Sequence, residues 1–404
     1  MLRTVSWRWY LAGLVCGLAL LGVALQAWSL PNRYTLTAVG PVNPATCHPP
    51  HITCIGAHAV AIADDAPVVV GNVQNVNSDF TPYEFSPTDH ELPGMDGTFF
   101  TLTPPTHRVN TGGFAEAAAG TRIVGEVTRP GSSNTLHAVL WDEGTVTDVE
   151  AESGILLPSS AAEAVNADDV CGSADNIPAC WLSGVFVTLP TLSPEPDKAG
   201  AVTALNDHGN AAGWSILRVS NNDLPRHCAY WPVTGGVVDC HSDVAGTDSK
   251  AEDMNNQNQI VGSGTQRGFL VLPWGMILLP PFGDLERSAA HGINDLGLIV
   301  GTSTSPTRRV ATVWENGVPI DLQPRLEDAD GWTLTDAVGI NNDGLIVATA
   351  ANPDDGHMVV LLTPVRDPVA AWYAWRYRIL RYYQARYDRW RKQIAQYYFR
   401  NIGR

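Results

Sequence analysis

Apolar residues along this chain fall into short runs set between clusters of glycine, asparagine, aspartate and proline, a pattern that predicts many short strands joined by tight turns. The runs recur. Residues 292–301 read GINDLGLIVG, 339–347 GINNDGLIV, 204–213 ALNDHGNAAG and 253–262 DMNNQNQIVG. Looser copies are IADDAPVVVG (62–71), EAAAGTRIVG (116–125) and AVNADDVCG (164–172). They close on Gly71, Gly125, Gly172, Gly213, Gly262, Gly301 and Ala348, a mean spacing of about 46 residues. A period of roughly 40–50 with several strands per unit points to a β-propeller.

Each unit reads as four strands. Apolar residues before the asparagine form the first, as in Gly292-Ile293. Asn-Asp-x-Gly makes a hairpin turn, because these residues tolerate positive φ. The Leu-Ile-Val-Gly run is the second strand. The third ends in tryptophan, as in HAVLW (137–141), HCAYW (227–231) and VATVW (310–314), and the fourth is VTDV (146–149), VVDC (237–240) or PIDL (319–322). Blade 5 has Leu272 where the tryptophan belongs. The last unit ends with HMVVLL (357–362) and has no fourth strand, whereas YTLTAVG (34–40) stands alone before the first unit. Pairing the two closes the ring and removes its edges. The expected fold is all-β, a seven-bladed propeller of four-stranded blades over residues 28–366, with a hydrophobic helix before it and a basic amphipathic helix after it.

Composition agrees with this reading and adds polarity. Of 404 residues 45% are hydrophobic and 16% charged, which allows a sizeable core. Arg3 and Arg8 precede an apolar run from Leu11 to Leu25, and Leu25-Gln26-Ala27 suits cleavage, so residues 1–27 read as a secretory signal. Residues 9–30 are also long enough, with aromatic flanks, to stay as a membrane anchor. Both readings place the rest outside the cytoplasm. Six of seven cysteines follow in three close pairs, Cys47/Cys54, Cys171/Cys180 and Cys228/Cys240. Local pairs in an even count predict disulfides in an oxidising compartment. No CxxC occurs, and the crowded Cys47-His48, His51 and Cys54 lack a second half, so no metal site is expected.

These residues resemble the extracellular HAF-repeat proteins, whose unit runs roughly A-I-N-x-x-G-x-x-V-G, then H-A-F-x-W, then x-G-x-x-x-D-L. The resemblance covers about residues 57–363, is specific in the Asn–Gly–Val-Gly stretch and is loose elsewhere. It implies a repeat architecture and export rather than a particular chemistry.

Candidate chemistry is sparse. The Asn-Asp pairs (Asn206-Asp207, Asn294-Asp295, Asn341-Asn342-Asp343) recur once per blade at a turn, so they read as structural. His137, His227 and His357 open equivalent third strands in separate blades and read as satisfied structural histidines. There is no phosphate-binding glycine loop, no Gly-x-Ser-x-Gly and no His-Glu-x-x-His. The expectation is therefore no catalytic residue and no cofactor. Two or more carboxylates beside an arginine or histidine at the centre of the ring would instead favour a hydrolase or lyase acting on a glycan or peptide.

The C-terminal segment stands apart. Asp367-Pro368 starts a helix and Gly403 ends it. On a helical wheel Trp372, Ile379, Tyr383, Tyr387, Trp390, Ile394 and Tyr397 share one face, and Arg378, Arg381, Arg389 and Lys392 the other, with Trp375 adding to the aromatic content. From residue 369 onward there are nine basic residues and one acid, whereas 28–368 holds 14 basic and 40 acidic residues. Residues 367–404 are thus expected to bind an anionic membrane surface or a membrane-protein partner, or to fold back on the acidic propeller. Nucleic acid is not an expected partner, since the propeller is acidic and lies outside the cytoplasm. The ring leaves a face for a ligand that the sequence does not name. The expected function is an exported, non-enzymatic binding or scaffolding propeller.

Overall fold

A computed structural model describes Pro31, residues 33–39 and residues 54–365, apart from loop positions 65–67, 76–79, 88–96, 102–112, 129–134, 143–144, 156, 195, 197, 221–222, 330 and 353–355. Residues Asn32–Pro364 form one compact unit. The N-terminal apolar segment, Cys47 and the basic segment 367–404 with all its candidate contacts lie outside the described residues. Among the described residues no helix is long and apolar enough to cross a membrane.

The unit is seven four-stranded antiparallel sheets, a propeller-like arrangement. The innermost strands are Cys54–Ile62, Gly113–Ala119, Ser160–Val165, Gly200–Leu205, Ser249–Met254, Arg287–Ile293 and Thr333–Ile340. Each packs against the sheet before it, and the first packs against the last. Blade 7 takes its outer strand from the N-terminal side: Tyr34–Val39 pairs antiparallel with Gly356–Pro364, Leu36 opposite Leu362. Tyr34, Leu362 and Val360 are fully buried there.

The repeat motif has a specific cause. In each of blades 1 to 6 the inner strand carries a β-bulge opposite the closing glycine, as between Ala115 and Ala117 or Ala290 and Gly292. In blades 2 to 6 a Cβ on Gly125, Gly172, Gly213, Gly262 or Gly301 would lie 1.9–2.1 Å from a carbonyl oxygen of that strand. The bulge thus brings backbone where a side chain would stand. Blade 7 has two such irregularities, and Ala348 fits at the equivalent place.

The turn asparagine does more than tolerate positive φ, which is instead taken by Gly209, Asn258, Gly297 and Gly344. Asn294 Oδ1 accepts the N–H groups of Leu296 and Leu298, and its Nδ2 donates to Asn341 O in the next blade at 3.1 Å. Asn166, Asn206 and Asn255 likewise donate to the carbonyls of Asn206, Asn255 and Asn294. Blade 2 has no asparagine here, and Arg122 reaches Asn166 O instead. A second row joins Asp207, Asn256, Asp295 and Asn342. At the seam Asn342 N–H donates to Asp64 O of blade 1, while Asn341 Nδ2 is buried without an acceptor.

Two of the three expected disulfides are present, Cys171–Cys180 and Cys228–Cys240, with Cα atoms 4.0 and 5.2 Å apart. The fourth strand of blade 4 is shorter than read, Val238–Asp239, and that of blade 2 is shifted by one residue, Thr145–Asp148, because Val149 opens a five-residue helix.

Candidate ligand site on the ring axis

The bulged position is the residue three before the turn asparagine or its equivalent. In blades 2 to 6 it is Glu116, Glu163, Thr203, Glu252 and His291. Glu116 and Glu163 couple electrostatically to Lys250 on the inner strand of blade 5, three and two blades away. All of these residues lie on the innermost strands of their blades.

On the side of blades 5 to 7 the charges are matched. Lys250 Nζ lies 3.2 Å from Glu252 Oε2, and Ser263 Oγ donates to Glu252 Oε1 at 3.1 Å. Asp336 is 2.9 Å from the Arg309 guanidinium and 3.4 Å from His291 Nε2. Burial opposes charging of His291, yet Asp336 outweighs it and the imidazole pKa is raised. Asp253, next to the bulge, accepts the N–H groups of Met254 and Ile293 at 2.7 and 2.8 Å. Burial lifts its carboxyl to about 6 against the pull of those two donors.

Blades 2 and 3 differ. Among the described residues, Glu116, Glu126 and Glu163 make no hydrogen bond and no ion pair. Glu126 follows the closing Gly125, the place where Asn72 of blade 1 clips the next inner strand by bonding both Ala115 N–H and Ala115 O. Glu126 makes no such clip. Burial, with repulsion from Glu116 and Glu163, raises its pKa to about 8. Burial and Glu163, opposed by Lys250, take Glu116 to about 7, and burial likewise raises Glu163. Hydrogen bonds to the charged form pull the Asp253 carboxyl down, and the side chains of these glutamates have none among the described residues.

The histidines divide. His137 Nδ1 lies 2.7 Å from Glu150 Oε1, and Ser160 Oγ also bonds Glu150 while accepting Ala138 N–H. This Ser/Glu/His set is 0–3% exposed, so no substrate reaches it and it serves as a clip between blades 2 and 3. His227 pairs with Asp239 at 2.9 Å and stacks on His241. His357 departs from expectation, since it is exposed. In blade 4 the acid Asp239 lies across from Ala229, two residues after the histidine. In blade 7 the corresponding partner of Val359 is Val39, which offers no carboxylate. Among the described residues no group of three His, Cys, Asp or Glu is placed to hold a metal ion.

No family model matches the chain, and no curated protein does. Among solved structures it is similar to a Mycobacterium tuberculosis puromycin-hydrolyzing peptidase, with a TM-score of 0.39 and 11% identity over 84% of this chain. The match spans only 56% of that peptidase chain, and a likeness of this degree carries no argument about chemistry. The two disulfides suggest an oxidising, extracytoplasmic location.

The axial residues were not singled out by sequence reasoning. A signal was present in register: the position three before the asparagine reads Val60, Glu116, Glu163, Thr203, Glu252, His291 and Val338, while its neighbours, Asp253 apart, stay small or apolar.

Proposed function

We propose that this chain is an exported, non-enzymatic binding propeller of the HAF-repeat kind, which takes a ligand on its axis and is held near a membrane by residues 367–404. What supports this reading most is the set of half-buried glutamates Glu116, Glu126 and Glu163 on blades 2 and 3, whose side chains make no hydrogen bond or ion pair among the described residues. Taking carboxyl groups partly out of water without hydrogen-bond partners costs stability, and such a cost persists where it serves a function.

Carboxylates beside Lys250 and His291 also meet the composition set out above for a propeller hydrolase or lyase, and Glu116 and Glu126 hold protons near neutral pH as a general acid does. Catalytic carboxyls, however, are aligned within a fraction of an ångström by neighbouring hydrogen bonds. Glu116, Glu126 and Glu163 have no such support, which favours binding over catalysis.

Attachment is the part most directly tested. Ending the chain at Arg366 is expected to leave the melting temperature of the ring unchanged and to abolish co-sedimentation with vesicles containing phosphatidylglycerol. A truncated protein that unfolds, or that still sediments, would remove the C-terminal segment from this role.

A further inference from the structure

Blade 4 holds its outer strand differently from the other blades. The outer strands of blades 1 to 3 and 5 to 7 are four to six residues long, whereas that of blade 4 is two, Val238–Asp239. In blades 5 and 6 the outer strand leads to a leucine set against the start of the third strand. Leu279 lies opposite Gly268, and Leu322 N–H donates to Ala311 O. Both leucines are fully buried, so packing pins the strand to its blade. In blade 4 Cys240 takes that place, its N–H donating to Cys228 O, and the bond Cys228–Cys240 replaces the apolar anchor. Cys240 is only half-buried, and Val238 and Asp239 are exposed. The remaining ties are two ladder pairs, the His227–Asp239 contact at 2.9 Å and the stack of His227 on His241. So short and exposed a ladder opens readily once its anchor is gone. Cys171–Cys180 is the counter-case: it joins the two central strands of blade 3 directly across from each other, with both residues 0–3% exposed.

We propose that Cys228–Cys240 is a redox latch: a dithiol reductant cuts it in the folded protein while Cys171–Cys180 stays closed, and cutting it frees the outer strand of blade 4. The latch is independent of the axial ligand site. A thiolate of the reductant attacks Sγ of half-buried Cys240. The Sγ–Sγ bond breaks, and its electron pair leaves on Cys228 Sγ, which takes up a proton. The reductant's second thiol then loses its proton and displaces Cys240 from the mixed disulfide, and Cys240 in turn takes up a proton. The protein has gained two electrons and two protons, and the reductant has become a disulfide. A cysteine thiol buries less apolar surface than a leucine side chain, so segment 237–242 is left without its anchor. The outer side of Arg226–Trp231 then becomes an open sheet edge.

The test combines differential alkylation with hydrogen exchange, both read by mass spectrometry on the native full-length protein in dithiothreitol. Cys228 and Cys240 should become alkylated at least tenfold faster than Cys171 and Cys180. The amides of 237–242 should then exchange at least tenfold faster, while those of the inner strands Gly200–Leu205 and Ser249–Met254 keep their protection. Equal alkylation of the two pairs, or alkylation only together with exchange throughout the ring, overturns the proposal. Selective reduction that leaves exchange at 237–242 unchanged overturns it too, because the bond then holds nothing. Two double variants separate the latch from the fold. Cys228→Ser/Cys240→Ser should exchange fast at 237–242 without reductant. Cys228→Ala/Cys240→Leu copies Ala311 and Leu322 of blade 6 and should stay protected with and without reductant, which keeps the proposal testable if the serine variant does not fold. Fast exchange in the leucine variant would show that anchoring at this place does not hold the strand, and would overturn the latch.

Discussion

Two sets of residues three positions apart in the same repeat behave in opposite ways. The turn asparagines Asn166, Asn206, Asn255 and Asn294 have both ends of the amide bonded, one to their own turn and the other to the next blade. Among the described residues, the side chains of the bulged Glu116 and Glu163 make no hydrogen bond and no ion pair. The residue that repeats is the scaffold, and the bulged position is the one that changes charge from blade to blade. In a repeat protein a recurring polar residue is therefore weak evidence of chemistry, and a polar residue that varies at a fixed structural position is stronger evidence.

The hardest way to break this contrast is through the glycine that makes the bulge possible. Gly301→Val sets a branched side chain where even a Cβ lies 2.1 Å from Ala289 O. It should cost about 4 kcal/mol or more, or prevent folding, by the measure of core overpacking and backbone clash. Urea unfolding would register it, and a loss under about 1 kcal/mol would mean that the bulge is dispensable. Next in size is Asn294→Ala, which strips two acceptor bonds from the turn and one donor bond from the seam with blade 7. A cost of about 2–3 kcal/mol is expected for buried groups left unpaired. An equal loss from replacing exposed Glu286 of the same blade would show that the belt is not what matters.

The smallest effect has the opposite sign and sharpens the comparison. Glu126 titrates near 8 in the folded chain against an ordinary value of 4.5. Between those pH values the folded state binds the proton that the unfolded state has lost, so stability falls as pH rises through this window. Glu126→Gln should therefore match the parent near pH 4 and melt higher at pH 9, by on the order of 1–2 kcal/mol after allowing for partial exposure. A variant less stable at pH 9 would mean that the carboxylate has a partner after all.

Much of the ring was legible in the chain. Seven units, their Asn-x-x-Gly turns and the stray strand at 34–40 follow from short-range pattern, because turn chemistry and alternation act locally. The bulge was not legible. Strict alternation cannot tell which of Ala115, Glu116 and Ala117 is the extra residue, since that depends on register with Gly125 across the strand pair. Blade 4's outer strand, reduced to Val238–Asp239, and the exposure of His357 likewise depend on what the partner strand supplies. The glutamates were thus visible as letters and invisible as a site.

The strand at Tyr34–Val39 has a consequence in time as well as in space. It is among the earliest parts of the ring to be synthesised, yet its partner is the last strand, with Thr35 and Thr363 separated by 328 residues. The other strand pairs join segments that follow one another, so each blade can assemble as its own residues arrive. The entropy of closing so long a loop grows only with the logarithm of its length, but closure still waits for the whole ring. Until then residues 34–39 remain an unpaired strand and blade 7 an open edge, both able to pair with another molecule. The same strand that seals the finished ring leaves the nascent chain with its longest-lived aggregation hazard.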